Sequence, residues 1–322
     1  MNVFPDILIC PVCGAPLRRA DGCLRCAAGH TYDLSRSGYA NLLPPGKGRN
    51  AKTGDERDMI RARASFLRKG FYDPMDEEAA DLLARYAPDG SPLCLIDMGA
   101  GEGTHTCKIA GMLRDRTGRG IAALGFDASK HGAESGCRYA RSLGFLPAAS
   151  PWIGEEAISA SDDPGQTPPE PEGGAEVLAA VLPANLFRLP VRGGSADMAL
   201  SLFAPIGWDE IRRILKPCGI FLAVSAGREH LLELRQILYD DVRFTDHRPD
   251  PPDGSGFTEL ERRTVSFPVK LDTREDIGGL FMMTPFYHRV PQAGRERLAA
   301  AESLTVTAQI AFSLFRRNAA EE

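Results

Sequence analysis

The first residues whose spacing suggests chemistry are cysteines. Four of the eight in this 322-residue chain crowd into its opening stretch, as Cys10, Cys13, Cys23 and Cys26, and His30 follows. Cys10-Pro-Val-Cys13 is a turn that lets two thiolates point at one ion, and Cys26-Ala-Ala-Gly-His30 adds a thiolate and an imidazole. Zinc accepts thiolate and imidazole in a tetrahedron. Residues 1–9 lack a basic segment leading into a long apolar run, so no secretory signal is expected and clustered thiols point to metal rather than disulfides. Cys10, Cys13 and Cys26 would fill three corners, and either Cys23 or His30 the fourth. A unit of about 30 residues buries too little apolar surface to fold alone, so the metal would supply its folding energy. The competing readings are a redox Cys-x-x-Cys and thiols without metal.

A second constellation lies at Leu93-Cys-Leu-Ile-Asp97-Met-Gly99-Ala-Gly101-Glu102-Gly103. It reads as a buried strand, Leu93 to Met98, a glycine-rich turn, and a helix from Thr104 to Leu113, the nucleotide-binding start of a doubly wound sheet. An acid at the strand end followed by Gly99-x-Gly101-x-Gly103 favours S-adenosylmethionine over a dinucleotide. Glu102 sits where a pyrophosphate would lie and would repel it, whereas a cationic sulfonium tolerates neighbouring acids. A second strand, Ile121 to Phe126, ends in Asp127, which lies 24 residues after Gly103 and could accept hydrogen bonds from ribose hydroxyls. The bland alternative is a βαβ turn that binds nothing.

The elements that must position these residues continue the pattern. Val177 to Leu182 and Ser195 to Phe203 read as strands and Trp208 to Leu215 as a helix. Lys216-Pro217-Cys218-Gly219 then turns into a strand from Ile220 to Ser225. Alternating strands and helices predict an α/β fold, Rossmann-like and doubly wound, with a mostly parallel sheet. Arg263–Leu271 and Leu304–Leu314 would add an antiparallel pair at one edge. The expected organisation is a zinc-binding ribbon at 1–36, a linker and helical segment at 37–90, and a catalytic domain at 91–316. Pro44–Thr53 would be the linker and about Asp55 to Lys69 the helix. Residues 147–176 hold seven Asp or Glu and no Lys or Arg, among many Pro and Gly, and predict a disordered acidic surface insertion.

Composition agrees with a globular chain, 43% hydrophobic and 25% charged. A net charge of −5 excludes a uniformly basic coat, but twelve Lys or Arg against six Asp or Glu in residues 1–72 leave that end basic on an acidic protein. Such an end suits a polyanion, or is ordinary solvated surface. No apolar run approaches the roughly 20 residues that span a bilayer, and a cytoplasmic protein with no membrane partner is expected.

These stretches together resemble the RlmA-type 23S rRNA (guanine-N1)-methyltransferases over nearly the whole chain apart from the insertion. The resemblance is carried by the two metal-binding stretches, by Ser37-Gly-Tyr-Ala-Asn-Leu-Leu-Pro44, and by Ala64-Ser-Phe-Leu-Arg-Lys-Gly-Phe-Tyr72. It continues through Asp97–Gly103, Gly125-Phe-Asp-Ala-Ser-Lys130, Phe203-Ala-Pro205, Gly227-Arg-Glu-His230-Leu and Met283-Thr-Pro-Phe286. Many methyltransferases share the glycine turn, whereas the Gly-Tyr-Ala-Asn-Leu-Leu segment is far more specific. The resemblance implies zinc ligands Cys10, Cys13, Cys26 and His30, with Cys23 a bystander. It implies cofactor contacts from Tyr72, Thr106, Cys107 and His230, and from Asn185 and Leu186 beside the adenine. Asp97, Gly99, Gly101 and Asp127 complete the cofactor set. It further implies N1-methylation of an exposed guanine in a 23S rRNA hairpin, and similar enzymes form homodimers. Cys218, where many such enzymes have Gly, and the acidic insertion depart from the pattern.

Methyl transfer to guanine N1 requires its proton to leave. His105, Asp97, Tyr287 and His288 are acceptors by type, with none singled out. Phe203 could stack on the target base. Two rival functions are a small-molecule methyltransferase that uses the ribbon to dimerise, and a non-catalytic zinc-dependent nucleic-acid binder.

Overall fold

A computed structural model describes residues 7–44, 57–147, 176–244 and 248–319. Apart from Pro147 and Glu176, the expected acidic insertion lies outside the described residues. So do the linker beyond Pro44 and the expected helix start at Asp55.

The chain opens with a three-stranded antiparallel sheet, β1 (Leu17–Ala20), β2 (Cys23–Cys26) and β3 (Thr31–Asp33). Asp21 and Gly22 join β1 to β2 with φ of 38° and 77°, the paired left-handed conformation that Asp-Gly adopts in a two-residue hairpin turn. Helices α1 (Arg57–Arg68) and α2 (Asp73–Arg85) follow.

The main body alternates β4 (Leu93–Met98), α3 (Thr104–Thr117), β5 (Ile121–Asp127), α4 (Lys130–Ser142), β6 (Leu146–Pro147), β7 (Val177–Pro183), β8 (Ala196–Leu202), α5 (Trp208–Ile214) and β9 (Leu215–Ala226). It ends with α6 (Leu232–Leu238), β10 (Phe257–Leu271), α7 (Arg274–Met283), α8 (Gln292–Ala299) and β11 (Leu304–Arg317). Eight strands form one sheet in the order β10-β11-β9-β8-β4-β5-β7-β6. Strands β6 to β9 and β4, β5 pair in parallel, while β11 and β10 pair antiparallel at the edge as the sequence predicts.

The central strands are continuous apolar runs because both faces of the sheet are covered; every residue of β4, β7 and β8 is buried. Alternation still sorts their side chains. Leu93 and Leu95 join the core formed with α2, α3 and α7, whereas Cys94, Ile96 and Met98 join a second core on the opposite face.

That second core contains the N-terminal sheet. Ile7, Leu8, Leu17, Leu24, Ala40 and Leu42 pack into it with Ile96, Phe126 and Val191. The backbone is stitched across the same seam: Ile9 N–H donates to Pro190 O at 2.9 Å, Arg192 N–H to Ile7 O at 2.7 Å and Leu42 N–H to Pro183 O at 2.9 Å. The ribbon thus covers one face of the sheet rather than hanging from it.

Residues 216–219, read as a turn before a strand, lie inside β9. The pairing of β9 with β8 slips there, and Cys218 sits at φ 61°. A left-handed conformation favours glycine, so Cys218 sits there under backbone strain.

Leu42 is fully buried in the core shared by ribbon and sheet. Leu42→Ala is expected to lower stability by about 2–5 kcal/mol. In urea denaturation, ribbon and sheet should lose structure in one transition; two separate midpoints would contradict the shared core.

Candidate active site and metal cluster

The thiols of Cys10, Cys13 and Cys26 and the His30 imidazole converge, with their ligand atoms all within 4.8 Å of one another. His30 Nδ1 lies 3.6 Å from Cys10 Sγ and 3.4 Å from Cys26 Sγ, and Cys13 Sγ is 3.7 Å from Cys26 Sγ. The strand explains why Cys23 is outside the group. Cys23 and Cys26 stand an odd number of residues apart on β2, so they point to opposite faces. Cys23 Sγ instead donates to Ala20 O at 2.9 Å.

Tyr32, which sequence reasoning missed, places its hydroxyl 3.1 Å from Cys10 Sγ. Burial opposes ionisation of Cys10, but the Tyr32 hydroxyl and the backbone amides of Cys13 and Val12 outweigh it and bring the thiol down to about 6. A thiolate beside two further thiols and an imidazole is a donor set for a tetrahedral, borderline-soft ion, and zinc fits it.

The second site forms where the loops after β4 and β8 meet, at the carboxyl ends of neighbouring strands on either side of the point where strand order reverses. A Cβ on Gly99, whose φ is 98°, would collide with the Ala204 side chain, so only glycine lets these two loops close on each other. They border a cavity of about 1080 Å³. Seven of the ten expected cofactor residues line it: Tyr72, Asp97, Gly99, Gly101, Asp127, Leu186 and His230.

The other three are not part of the lining. Thr106 Oγ1 donates to Asp97 Oδ2 at 2.5 Å. Cys107 is packed in the core. Asn185 Oδ1 accepts from Phe187 N–H at 3.0 Å and shapes the loop that presents Leu186.

Asp97 is fully buried, and its Oδ1 has no hydrogen-bond partner. Burial raises its carboxyl to about 7, the Thr106 hydrogen bond and His105 pull the other way, and Asp127 and Glu102 add to the rise. Asp127 is anchored by Gly101 N–H at 3.1 Å and Ser129 N–H at 2.8 Å. Its remaining lone pairs can still accept hydroxyls.

His105 Nδ1 meets Asp76 Oδ1 at 2.7 Å. Burial disfavours charge on this imidazole, but the Asp76 carboxylate outweighs it and lifts its pKa. His230 is the opposite case: burial holds it down to about 4, so it is neutral at pH 7, and its Nδ1 is unpartnered. Both rings pack edge-on to Tyr72, with centroids 6.4 Å from it, and the Phe203 ring lies 5.9 Å from His230. Phe203 is 47% exposed at φ 53°, a strained conformation of the kind found at functional sites.

Of the four proton acceptors named by type, Asp97 and His105 line the cavity, whereas Tyr287 and His288 do not. Asp76 and Arg63 were not legible as site residues, because neither carries a local motif, and Arg228 lay within the Gly227–Leu231 motif without a role of its own.

The residues fit S-adenosylmethionine. An unpartnered buried carboxylate oxygen suits an ammonium or sulfonium, and Asp97, Glu102 and Asp127 cluster where the loops after β4 and β5 form the cavity wall. Sheet order, glycine turn, paired acids and thiol cluster define a class I methyltransferase that carries a zinc ribbon.

Comparison with known proteins agrees. The family model for the RlmA N-terminal zinc ribbon matches residues 8–49. The 23S rRNA (guanine(748)-N(1))-methyltransferase of Streptomyces fradiae is 32% identical over 96% of both chains. A candidate 23S rRNA (guanine-N(1)-)-methyltransferase of Micromonospora griseorubida is 30% identical over 98% of this chain and 99% of its own. The chain belongs to the RlmA-type 23S rRNA (guanine-N1)-methyltransferases. Among the described residues no helix is long and apolar enough to cross a membrane.

Cys13→Ser is expected to release the metal, while Cys23→Ser keeps one zinc per chain, as measured by elemental analysis of the purified variants. Loss of zinc from Cys23→Ser would overturn the ligand set.

Proposed function

We propose that the chain transfers a methyl group from S-adenosylmethionine to N1 of a guanine exposed in a 23S rRNA hairpin. The observation that carries this reading is the buried Asp97 carboxylate, whose Oδ1 has no hydrogen-bond partner, in the wall of a cavity that the exposed ring of Phe203 also lines. The curated relatives supply the identity of the nucleic acid.

Asp97 would take the ammonium of the cofactor's amino-acid part, and His105, whose imidazolium form Asp76 favours, its carboxylate. Asp127 would accept the ribose hydroxyls. The backbone at Gly99 and Gly101 would let the ligand approach closely, and Leu186, Tyr72 and the uncharged His230 would form its apolar walls. A neutral imidazole at His230 matters because a cation there would repel a sulfonium.

When bound, the cofactor supplies an electrophilic methyl group. The protein's own part is alignment: Phe203 stacks on the flipped guanine and sets N1 in line, while the closed loops after β4 and β8 exclude water. Such positioning can contribute about 7–11 kcal/mol. Cys10, Cys13, Cys26 and His30 hold zinc and stiffen the ribbon that approaches the RNA. A homodimer, as in similar enzymes, is part of the same reading and is tested by sedimentation.

Primer extension on 23S rRNA from a deletion strain tests the function directly, since an N1-methyl group blocks base pairing and stops the polymerase. The stop should vanish in the deletion and return with the wild-type gene. Asp127→Ala should weaken cofactor binding measured by calorimetry; unchanged affinity would remove its ribose role.

Asp97 gives a pH dependence with a defined sign. Its folded value of about 7 lies above that of an unfolded carboxyl, so the ligand-free protein loses stability from this group as pH rises from about 4 to 7. A cationic ligand needs the ionised form, so cofactor affinity should rise with pH, by up to about tenfold per unit below 7, and level off above it. Asp97→Asn should bind weakly and without that slope.

A further inference from the structure

A second cavity of about 430 Å³ lies between α1 and α4, on the other side of α1 from the methyl-transfer site. Arg57, Arg61 and Arg68 from α1 and Arg138 from α4 line it, with Glu134 its one carboxylate among the described residues. Glu134 is 3.4 Å from Arg138. Arg68 is held in place, donating to Ser135 Oγ at 3.0 Å with its guanidinium over the Tyr139 ring at 4.3 Å. Arg57 and Arg61 form no ion pair among the described residues.

Four guanidiniums around one carboxylate repel one another, and the repulsion is relieved when an anion enters. The spacing is not accidental to the helix. Arg57, Arg61 and Arg68 recur at helical intervals along one face of α1, whereas Arg63 and Leu67 on its other face line the methyl-transfer cavity. A chain lying in the cleft is therefore about one helix diameter, 10–12 Å, from the methyl-transfer cavity. The same helix α4 also touches the segment that follows β3 of the zinc ribbon. Arg141, three residues beyond Arg138, donates to Arg36 O at 3.4 Å.

We infer that the α1–α4 cleft is a phosphate-binding site that grips the RNA backbone beside the target guanine. The inference rests on the reading of the chain as an rRNA-modifying enzyme and adds to it where the strand lies. Guanidinium forks match phosphate oxygens in pairs, and the Ser65 and Ser135 hydroxyls flank them. None of the four arginines lines the cofactor cavity. RNA gripping and cofactor binding are therefore separable by mutation.

The test uses the full-length protein, a 23S rRNA hairpin fragment, and two variants: R61E/R138E and the milder R57Q/R61Q. Both are expected to bind S-adenosylmethionine as the wild type does. R61E/R138E should bind the hairpin at least tenfold more weakly. Each lost phosphate contact should flatten the dependence of log affinity on log salt by about 0.7. R57Q/R61Q should show the same change in slope with a smaller loss. Wild-type hairpin affinity and salt slope in both variants, with methylation intact, would overturn the cleft and leave the function standing. Cleft-dependent hairpin binding by a wild-type protein that leaves guanine N1 unmethylated would do the reverse.

Discussion

A carboxylate buried without a full set of partners is the feature on which the site depends. Removing an ion from water costs several kcal/mol unless something replaces its hydration. At Asp97 the protein supplies one replacement, the Thr106 hydroxyl, and leaves the other oxygen bare. The surroundings sharpen the cost, since Glu102 and Asp127 add negative charge. Such an arrangement is poorly satisfied alone and well satisfied by a cation. The rest of the fold holds it in place: a central strand buried on both faces, a glycine loop closed against Ala204, and α3 bringing Thr106 back to the strand end.

The same economy governs the ribbon. A hairpin of this size cannot bury a core of its own, and metal ligation offsets only part of the entropy of ordering it. Here its apolar residues complete one face of the large sheet. Ile7, Leu8 and Leu42 are as deeply buried as the strands they cover. Metal and sheet therefore stabilise the ribbon from opposite sides, and the position of the ribbon relative to the methyl-transfer cavity is fixed by packing rather than by a tether.

Much of this was legible in the sequence, for identifiable reasons. Strands β4, β5, β7 and β8 announce themselves because a parallel sheet covered on both faces demands unbroken apolar runs, and Asp97 and Asp127 stand at strand ends where charge breaks such a run. The antiparallel edge was legible for the converse reason, since β11 alternates buried and half-buried residues over much of its length. What spacing could not decide was the choice between Cys23 and His30. That choice depends on strand phase, and phase follows only once the Asp21-Gly22 turn fixes the β1–β2 register. The His105–Asp76 pair, the docking of the ribbon and the Tyr32 bond to Cys10 were invisible because each joins elements that no local pattern connects.

An enzyme that brings a sulfonium to RNA faces opposite electrostatic demands. Its cofactor pocket must be acidic, and its RNA surface must be basic. In this chain α1 stands between the acids of the cofactor loops and the arginines of the α1–α4 cleft, while Arg228, Arg235 and Arg243 line the far part of the methyl-transfer cavity. The acids at the ends of β4 and β5 line one side of α1, and the arginines of α1 and α4 line the other. Arg63 stands at the border, its Nε 4.0 Å from Glu102 Oε2. Separating these acids from the cleft arginines lets a protein of net charge −5 offer a locally cationic groove without weakening its hold on a cationic cofactor. The helix that divides the charges also sets the distance between them, so the geometry that protects each site from the other also places backbone and base together.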